Sequence, residues 1–351
     1  MIQRRKTKEV QIGDITIGGD NPIAIQSMTK TDTRDIPATV SQILQLQESG
    51  CDIVRLAIVN MEAAKAIKEI KKSVSIPIVA DIHFDYRLAL TAIESGIDKL
   101  RINPGNIGDI SRIKQVVEKS KERKIPIRIG VNSGSLEKDI YDKYNGITPE
   151  GLVESATKHI EILENLNFDD IVVSIKSSDV LLSVESYKLF SQKFSYPLHI
   201  GITESGTLNV GSVKSSVGLG ILLYHGIGDT LRVSLTSEPV NEILVAEELL
   251  KSLNIFQKEK IEFISCPTCG RCELDLINIA DAIQKECKSI KKNIKVAVMG
   301  CGVNGPGEAK DADIGIAGGK SKAVLFKKGK ILRTIDENNI IEEVMKEIQL
   351  L

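Results

Sequence analysis

The sequence has no tryptophan, and its aromatic content is only 4% of 351 residues. Surfaces that bind single-stranded nucleic acid commonly stack bases on aromatic side chains, so this scarcity argues against such a surface. An excess of one charge is also missing, because 46 basic residues stand against 47 acidic ones. The composition therefore predicts no nucleic-acid partner and no general face for polyanions.

Long apolar runs are absent as well. The longest run, around residues 218–224, is far too short to cross a bilayer, so no membrane partner is predicted. Residues 1–6 are basic, but no apolar segment follows them, which argues against a signal peptide. Only six cysteines occur, three of them at Cys266, Cys269 and Cys272. This distribution is unlike a disulfide framework and favours metal chemistry in a reducing cytoplasm.

From Pro22 to Asn254, short β-branched segments alternate with amphipathic helical segments. Eight strands are predicted, at residues 23–28, 53–58, 76–82, 99–103, 125–131, 170–175, 197–203 and 230–235. Apolar spacing predicts helices between and after them, including residues 63–72, 88–94, 111–123, 149–164 and 238–253. Eight β-then-α units match a TIM (β/α)8 barrel over residues 1–254. A doubly wound sheet, the competing fold, gives no reason for eight units.

A charged linker, residues 255–262, follows the predicted barrel. Residues 263–351 then predict a small α+β domain. Its expected elements are strands leading into Cys266 and Cys301, a helix at 274–288, a β-meander at 314–317, 323–327 and 330–335, and a final helix at 340–349. Turns containing glycine are expected at 318–320 and 328–329.

Cationic side chains interrupt five of the apolar barrel strands. Alternate residues of a strand share one face, which places the cations beside polar residues such as Asn132 and Ser234. An unpaired cation among apolar side chains is costly, and the outer face of the barrel is covered by helices. We therefore expect the cations to converge near the C-terminal mouth of the barrel and to bind a phosphorylated ligand: Arg55, Arg101, Arg128, Lys176 and Arg232.

Carboxylates close to these cations in the sequence offer a second interpretation. Internal ion pairs could neutralise individual arginines through Asp52, Asp81, Asp98 or Asp229. Glu204 lies at the end of the seventh predicted strand, where a barrel presents its catalytic groups, and is a candidate general acid or base. It could equally anchor one of the cations.

The predicted second domain contains two turn segments rich in potential metal ligands, Cys266-Pro-Thr-Cys269 and Cys301-Gly-Val-Asn-Gly-Pro-Gly-Glu308. Thiolates hold iron or zinc firmly, whereas a carboxylate is a harder and more exchangeable ligand, so we expect a site that opens at Glu308. Spacing alone leaves three alternatives. They are an iron–sulfur cluster on Cys266, Cys269 and Cys272 with Cys301 as a fourth ligand, a structural zinc site, and a redox-active dithiol.

Four segments resemble the 4-hydroxy-3-methylbut-2-enyl diphosphate synthase family. They are residues 18–29 (GGDNPIAIQSMT), residues 100–106 (LRINPGN), residues 266–271 (CPTCGR) and residues 299–308 (MGCGVNGPGE). The resemblance runs nearly end to end. It implies a TIM barrel followed by a small cluster domain resembling part of sulfite reductases, in the shorter bacterial form without an inserted middle domain.

The resemblance also implies roles for individual residues. A 4Fe-4S cluster is implied, with the ligands Cys266, Cys269, Cys301 and Glu308. Diphosphate contacts are implied at Arg55, Arg101, Arg128 and Lys176, with Asn132, Arg232 and Ser234 nearby. Glu204 matches a proposed acid/base position, and Cys272 departs from the usual pattern of the family. Our hypothesis for the mechanism is that a substrate oxygen displaces Glu308.

The implied activity is an oxidoreductase of the methylerythritol phosphate route to isoprenoids. Its substrate, 2-C-methyl-D-erythritol 2,4-cyclodiphosphate, is opened and dehydroxylated with two electrons to 4-hydroxy-3-methylbut-2-enyl diphosphate. Flavodoxin or ferredoxin is the implied electron donor, and a head-to-tail homodimer is the implied assembly. Two alternatives are an iron–sulfur or zinc sensor of a phosphorylated metabolite and a phosphosugar lyase with a structural zinc domain.

Overall fold

A computed structural model describes residues 2–287, 290–302 and 309–351 of the chain. The chain divides into two units, Met1–Phe256 and Gln257–Leu351. Over the described ranges, none of the helices combines the length and the apolar character that crossing a bilayer requires.

A short hairpin opens the first unit. Strand β1 (Val10–Ile12) pairs antiparallel with β2 (Ile15–Ile17). Its apolar side chains pack against inward-facing residues near the starts of the barrel strands, in a cluster of Val10, Ile12, Ile17, Ala24, Ile53, Val79 and Val172. This hairpin is not among the predicted elements. Its signal is apolar alternation on both sides of Gly13, whose φ of +58° suits a tight turn.

Eight parallel strands of the first unit form the barrel, which confirms the predicted TIM architecture. They are β3 (Ala24–Met28), β4 (Ile53–Ala57), β5 (Ile78–Asp81), β6 (Lys99–Ile102), β7 (Ile127–Asn132), β8 (Ile171–Lys176), β9 (His199–Ile200) and β10 (Thr230–Leu231). Their order is β8-β7-β6-β5-β4-β3-β10-β9, and a parallel bridge from Val173 to Leu198 joins the two ends. Strands β9 and β10 are shorter than predicted, because regular pairing stops at Ile200 and Leu231.

Helices alternate with these strands. They are α1 (Ile36–Glu48), α2 (Met61–Ser73), α3 (Tyr86–Glu94), α4 (Ile110–Arg123), α5 (Lys138–Lys143), α6 (Pro149–Asn165), α7 (Val180–Lys193), α8 (Leu208–Tyr224) and α9 (Pro239–Ser252). Several begin after a side chain that accepts a hydrogen bond from a first-turn N–H, namely Asp35, Asn60, Asp85, Asp109, Thr148 and Asp179. The five helices predicted by residue range agree with the structure to within two residues at either end.

The second unit contains a five-stranded sheet in the order β11-β12-β13-β14-β15. The strands are β11 (Glu262–Ser265), β12 (Lys295–Met299), β13 (Ile314–Gly319), β14 (Lys322–Lys327) and β15 (Lys330–Asp336). The first three are parallel, and the last three form the predicted antiparallel meander. Helices α10 (Leu276–Cys287) and α11 (Ile340–Leu350) share an apolar core with this sheet. The predicted α+β fold is confirmed.

Candidate active site

A cavity of about 150 Å³ opens at the C-terminal ends of the barrel strands. Inward-facing side chains of successive strands form its wall, since a small barrel is filled by alternate residues of each strand. The lining residues are Arg55, Asp81, His83, Arg101, Arg128, Gly130, Asn132, Ser174, Lys176, Thr203, Arg232 and Ser234. The structure thus brings together all seven residues predicted to contact substrate. Their role in binding stays a prediction.

The register between neighbouring strands explains this convergence. Arg101 of β6 lies directly beside Arg128 of β7, and Asn132 of β7 lies beside Lys176 of β8. Residues paired in this way point to the same side of the sheet. Gly130, between Arg128 and Asn132 on the inner face, leaves room for the Arg101 guanidinium, whose Nε would lie 2.7 Å from an added Cβ.

Asp81 is the carboxylate at the centre of this wall. Arg101 Nη1 donates to its Oδ1 at 3.2 Å, and Arg55 Nε lies 3.8 Å from its Oδ2. His83 Nε2 lies 3.6 Å from the same oxygen. Burial raises the pKa of Asp81, but the Arg55 charge, the nearby His83 imidazole and the Arg101 charge together hold that pKa below its usual range. Asp81 is therefore ionised and orients two of the cations.

The other three predicted acidic partners lie at the opposite ends of the strands. Asp52 Oδ2 accepts from the Ile25 amide at 2.8 Å, and Asp98 Oδ2 accepts from the Ile78 amide at 2.7 Å. Asp229 accepts from the Leu198 amide at 2.8 Å and pairs with Arg4 at 3.0 Å. Of the four candidate acids, Asp81 is therefore the one that lines the cavity, so the ion-pair interpretation of the arginines holds for Arg55 and Arg101 through this residue.

A second carboxylate, missed by the sequence analysis, pairs with Arg232. Glu242 in the first turn of α9 is 3% exposed and accepts from Arg232 Nε at 3.2 Å and Nη2 at 3.1 Å. It also accepts from the Ser27 hydroxyl at 2.8 Å and the Leu235 amide at 3.1 Å. Arg232 is therefore held by a fully hydrogen-bonded carboxylate.

Other cations in the barrel are not compensated in this way. Arg128 is 1% exposed, and its Nε and Nη1 have no hydrogen-bond partner within the described residues. Burial lowers the pKa of Arg128, and the Arg55 and Arg101 charges lower it further. Arginine stays charged in proteins, so the lowered pKa of Arg128 reflects the free-energy cost of burying its charged guanidinium group.

Lys99, the first residue of β6, is a further buried cation that the sequence analysis did not count. It is 0% exposed, and its Nζ has no hydrogen-bond partner among the residues described. The sequence could have predicted this position, because Lys99 lies two residues before Arg101 in the same strand and therefore shares its inward-facing side. The barrel interior therefore holds six cations against the carboxylates Asp81 and Glu242: Arg55, Lys99, Arg101, Arg128, Lys176 and Arg232.

Glu204 lies beside the cavity rather than on its wall. It follows Thr203, which lines the cavity, and its own side chain is exposed. Its φ of +50° is unusual for a residue other than glycine and marks a strained turn. A general acid or base role for Glu204 stays a prediction.

Two thiols of the second unit follow neighbouring strands of its sheet. Cys266 follows β11 and Cys301 follows β12, two neighbouring parallel strands. The Gly300 amide donates to Cys266 Sγ at 3.1 Å, which ties these two strand ends together. Cys269 is exposed, and hydrogen bonds from Arg271 lower the pKa of its thiol. A lowered pKa favours the thiolate, the form that binds metals.

The chemistry of these donors fits a thiolate-bound iron–sulfur group. Cys272 differs from the others, because its Sγ donates to the Leu274 carbonyl oxygen at 3.4 Å and so behaves as a satisfied thiol. Glu308, the predicted fourth ligand, lies outside the described residues. Among the residues that are described, no three histidine, cysteine or acidic side chains are close enough to hold a metal ion.

Two family models match almost the whole chain. Residues 7–247 match the GcpE TIM-barrel domain, and residues 262–350 match the GcpE protein C-terminal domain. The chain belongs to the GcpE family. A relative from Ruminiclostridium cellulolyticum is 59% identical over 99% of this chain and 98% of its own length, and one from Clostridium perfringens is 58% identical over 99% of both. Both relatives are named 4-hydroxy-3-methylbut-2-en-1-yl diphosphate synthase (flavodoxin).

Solved structures with a similar barrel are more distant from this GcpE family member. Dihydropteroate synthase from Stenotrophomonas maltophilia aligns with a TM-score of 0.53 and 11% identity, over 72% of this chain and 100% of that one. The Yersinia pestis dihydropteroate synthase aligns with a TM-score of 0.50 and 9% identity, over 70% of this chain and 98% of that one. At such low identity the likeness shows the barrel fold alone.

Proposed function

We propose that this GcpE family protein is a 4-hydroxy-3-methylbut-2-enyl diphosphate synthase. It opens the ring of 2-C-methyl-D-erythritol 2,4-cyclodiphosphate and removes a hydroxyl group with two electrons. The observation that carries the proposal is a barrel cavity lined by five cations and one carboxylate, in a chain 59% identical to a relative of that name. Such a cavity suits a diphosphate, because several converging cations remain uncompensated without a polyanion.

Different cavity residues would make different contacts with the diphosphate. Arg128 and Lys176 are the central cations, while Arg55 and Arg101 are oriented by Asp81. Arginine forks bind phosphate oxygens in pairs, so the fixed guanidinium groups would set the direction of the diphosphate. Further neutral polar contacts would come from Asn132 and Ser234, with Arg232 beside them.

The second unit would supply the redox group. Membership of this family implies an iron–sulfur enzyme. We propose a 4Fe-4S cluster, held by Cys266, Cys269, Cys301 and Glu308, with Cys272 left as a free thiol. A bound cluster of this kind transfers one electron at a time, so the two electrons needed by the substrate would be delivered one after the other.

The electron donor and the assembly extend this proposal. The names of the relatives include flavodoxin, which supports a flavodoxin donor in the cytoplasm; ferredoxin is the other candidate. A head-to-tail homodimer would cover the mouth of each barrel. Its support is a set of apolar side chains in or next to the loops after strands β4, β5, β6 and β8, between 60% and 76% exposed: Val59, Phe84, Ile110 and Leu181.

The function is tested with protein purified without oxygen. We expect iron and sulfide, a broad visible absorption, and conversion of the cyclic diphosphate to the linear product with dithionite as reductant. Heat-treated protein is the control for chemical reduction by dithionite. A colourless zinc protein would support the lyase alternative, and an iron protein that binds the compound without converting it would support the sensor.

Mixed dimers test the head-to-tail assembly. Arg101→Met damages the barrel site, and Cys301→Ser damages the cluster site. If each active site combines one barrel with the partner's second unit, mixing the two inactive variants regenerates one intact site per mixed dimer. We expect about a quarter of wild-type activity after equal mixing and full exchange, since half the dimers are mixed and each has one working site. No recovery despite proven exchange places the site within a single chain.

A further inference from the structure

His199 lies inside the barrel but does not line the cavity. It opens β9, is 0% exposed, and faces inward. Its Nε2 lies 3.4 Å from Nζ of Lys176, a cavity residue, and its Nδ1 lies 2.8 Å from Oγ1 of Thr230 in β10. The imidazole therefore connects a proposed diphosphate contact with the strand on its other side.

The charges around His199 decide its protonation state. Burial lowers the pKa of His199 well below its usual range, and the charges of Arg128, Lys176, Lys99 and Arg55 lower it further. A neutral imidazole has one donor and one acceptor nitrogen. Because Lys176 can only donate when charged, Nε2 is the acceptor, and Nδ1–H donates to the Thr230 hydroxyl.

The position of Lys176 also depends on the residue that follows strand β9. A Cβ at Gly201 would lie 2.7 Å from Lys176 Nζ, so the glycine leaves the room that the lysine amine occupies. Burial and the Arg128 charge lower the pKa of Lys176. Diphosphate oxygens in the cavity oppose that shift and favour the ammonium form, which makes three directed hydrogen bonds.

The backbone of His199 is held by Tyr187. The Tyr187 hydroxyl donates to the His199 carbonyl oxygen at 2.8 Å and accepts from the Ile175 amide at 3.1 Å. Tyr187 is 0% exposed and thus pins β9 to β8, the strands that carry His199 and Lys176. A fixed acceptor on β9 restricts the rotamers of the long lysine side chain, which is otherwise expensive to order.

We propose that His199 is a positioning residue for the diphosphate: its Nε2 holds the Lys176 ammonium in the direction of the ligand, and Thr230 fixes the tautomer that makes this possible. The inference rests on the proposed function, since it takes a diphosphate as the cavity ligand. It assigns His199 no contact with substrate and no part in proton transfer.

Two substitutions separate the Lys176 contact from the Thr230 contact. Asn at position 199 places its amide where Nδ1 is and keeps a donor to Thr230, but it has no group near Lys176. Gln reaches the position of Nε2 and keeps an acceptor for Lys176. We expect His199→Asn to weaken binding of inorganic diphosphate, measured by calorimetry, by about tenfold or more, and His199→Gln by no more than about threefold.

A double-mutant cycle with Lys176→Met excludes a merely structural effect. If His199 acts through Lys176, His199→Asn has almost no further effect on diphosphate binding in the Lys176→Met background. An equal loss in both backgrounds, or wild-type affinity in a folded His199→Asn protein, overturns the proposal. Turnover of the cyclic diphosphate by the wild type is measured in parallel. Wild-type protein that binds diphosphate without turnover contradicts the proposed function while leaving the cycle interpretable.

Discussion

Arg128→Met should stabilise the free protein and at the same time abolish effective substrate binding. The wild-type guanidinium is 1% exposed, two of its nitrogens have no hydrogen-bond partner in the described part of the chain, and Arg55 and Arg101 repel it. Methionine fills a similar volume without a buried charge. Replacing buried ionic groups by apolar residues has stabilised proteins by about 1–4 kcal/mol, so the thermal midpoint should rise by several degrees.

The same substitution removes a central contact of the proposed diphosphate site. A charge-assisted pair to phosphate oxygens is stronger than a neutral hydrogen bond, and Arg128 would form it from a position that is 1% exposed. We expect the affinity for inorganic diphosphate to fall about 100-fold or more. Thermal unfolding with and without diphosphate measures both effects, because a bound ligand raises the midpoint of the wild type but not of the variant.

Arg232→Met is the matched control. Arg232 also lines the cavity, but its two hydrogen bonds to Glu242, at 3.1 and 3.2 Å, pair it with a buried carboxylate. Its removal leaves Glu242 buried without its cation, which costs about 3–5 kcal/mol. The two variants should thus shift the midpoint in opposite directions. A loss of stability in Arg128→Met as large as in Arg232→Met contradicts the view that Arg128 is uncompensated.

The strand pattern predicted much of the barrel, because each unit repeats the same pair of a β-branched strand and an amphipathic helix. β-branched runs and helical spacing are local, and eight repetitions of the pair leave few alternative folds. The hairpin of β1 and β2 was missed for a local reason. Its three-residue strands are shorter than the runs used to identify the others, although they alternate correctly. The ends of β9 and β10 depend on how neighbouring strands tilt, which a single segment does not encode.

The site shows the same division between local and distant information. Arg101 and Arg128 could be placed on the inner face of the barrel because their strands alternate, and Lys99 could have been placed on that face by the same rule. Glu242 could not, since it lies on a helix and reaches Ser27, a residue 215 positions away in the chain. Asp52 was proposed as a partner of the arginines from proximity in sequence. It precedes its strand and therefore lies at the end opposite the cavity.

Cys269→Ser should lose most of its iron, whereas Cys272→Ser should keep it. Hydrogen bonds from Arg271 lower the pKa of the exposed Cys269 thiol, which favours a metal-binding thiolate. Cys272 instead donates to the Leu274 carbonyl oxygen at 3.4 Å. The spacing of residues 266–272 alone would make both of them ligands. Iron and sulfide analysis and the visible spectrum of the two variants, purified without oxygen, measure the difference.

The Cys272→Ser variant also tests the role of Glu308. The proposed cluster has three thiolate ligands and a fourth ligand, for which Glu308 and Cys272 are the two candidates. If Glu308 is that ligand, Glu308→Ala should keep its iron on the three thiolates and lose nearly all turnover, while Cys272→Ser keeps both. If Cys272 replaces the carboxylate when Glu308 is removed, the double variant Glu308→Ala/Cys272→Ser should lose iron that Glu308→Ala retains. Iron loss in Cys272→Ser alone would make Cys272 the resident ligand. In that case the exchangeable position expected of a carboxylate would be absent, and Glu308 would need another role.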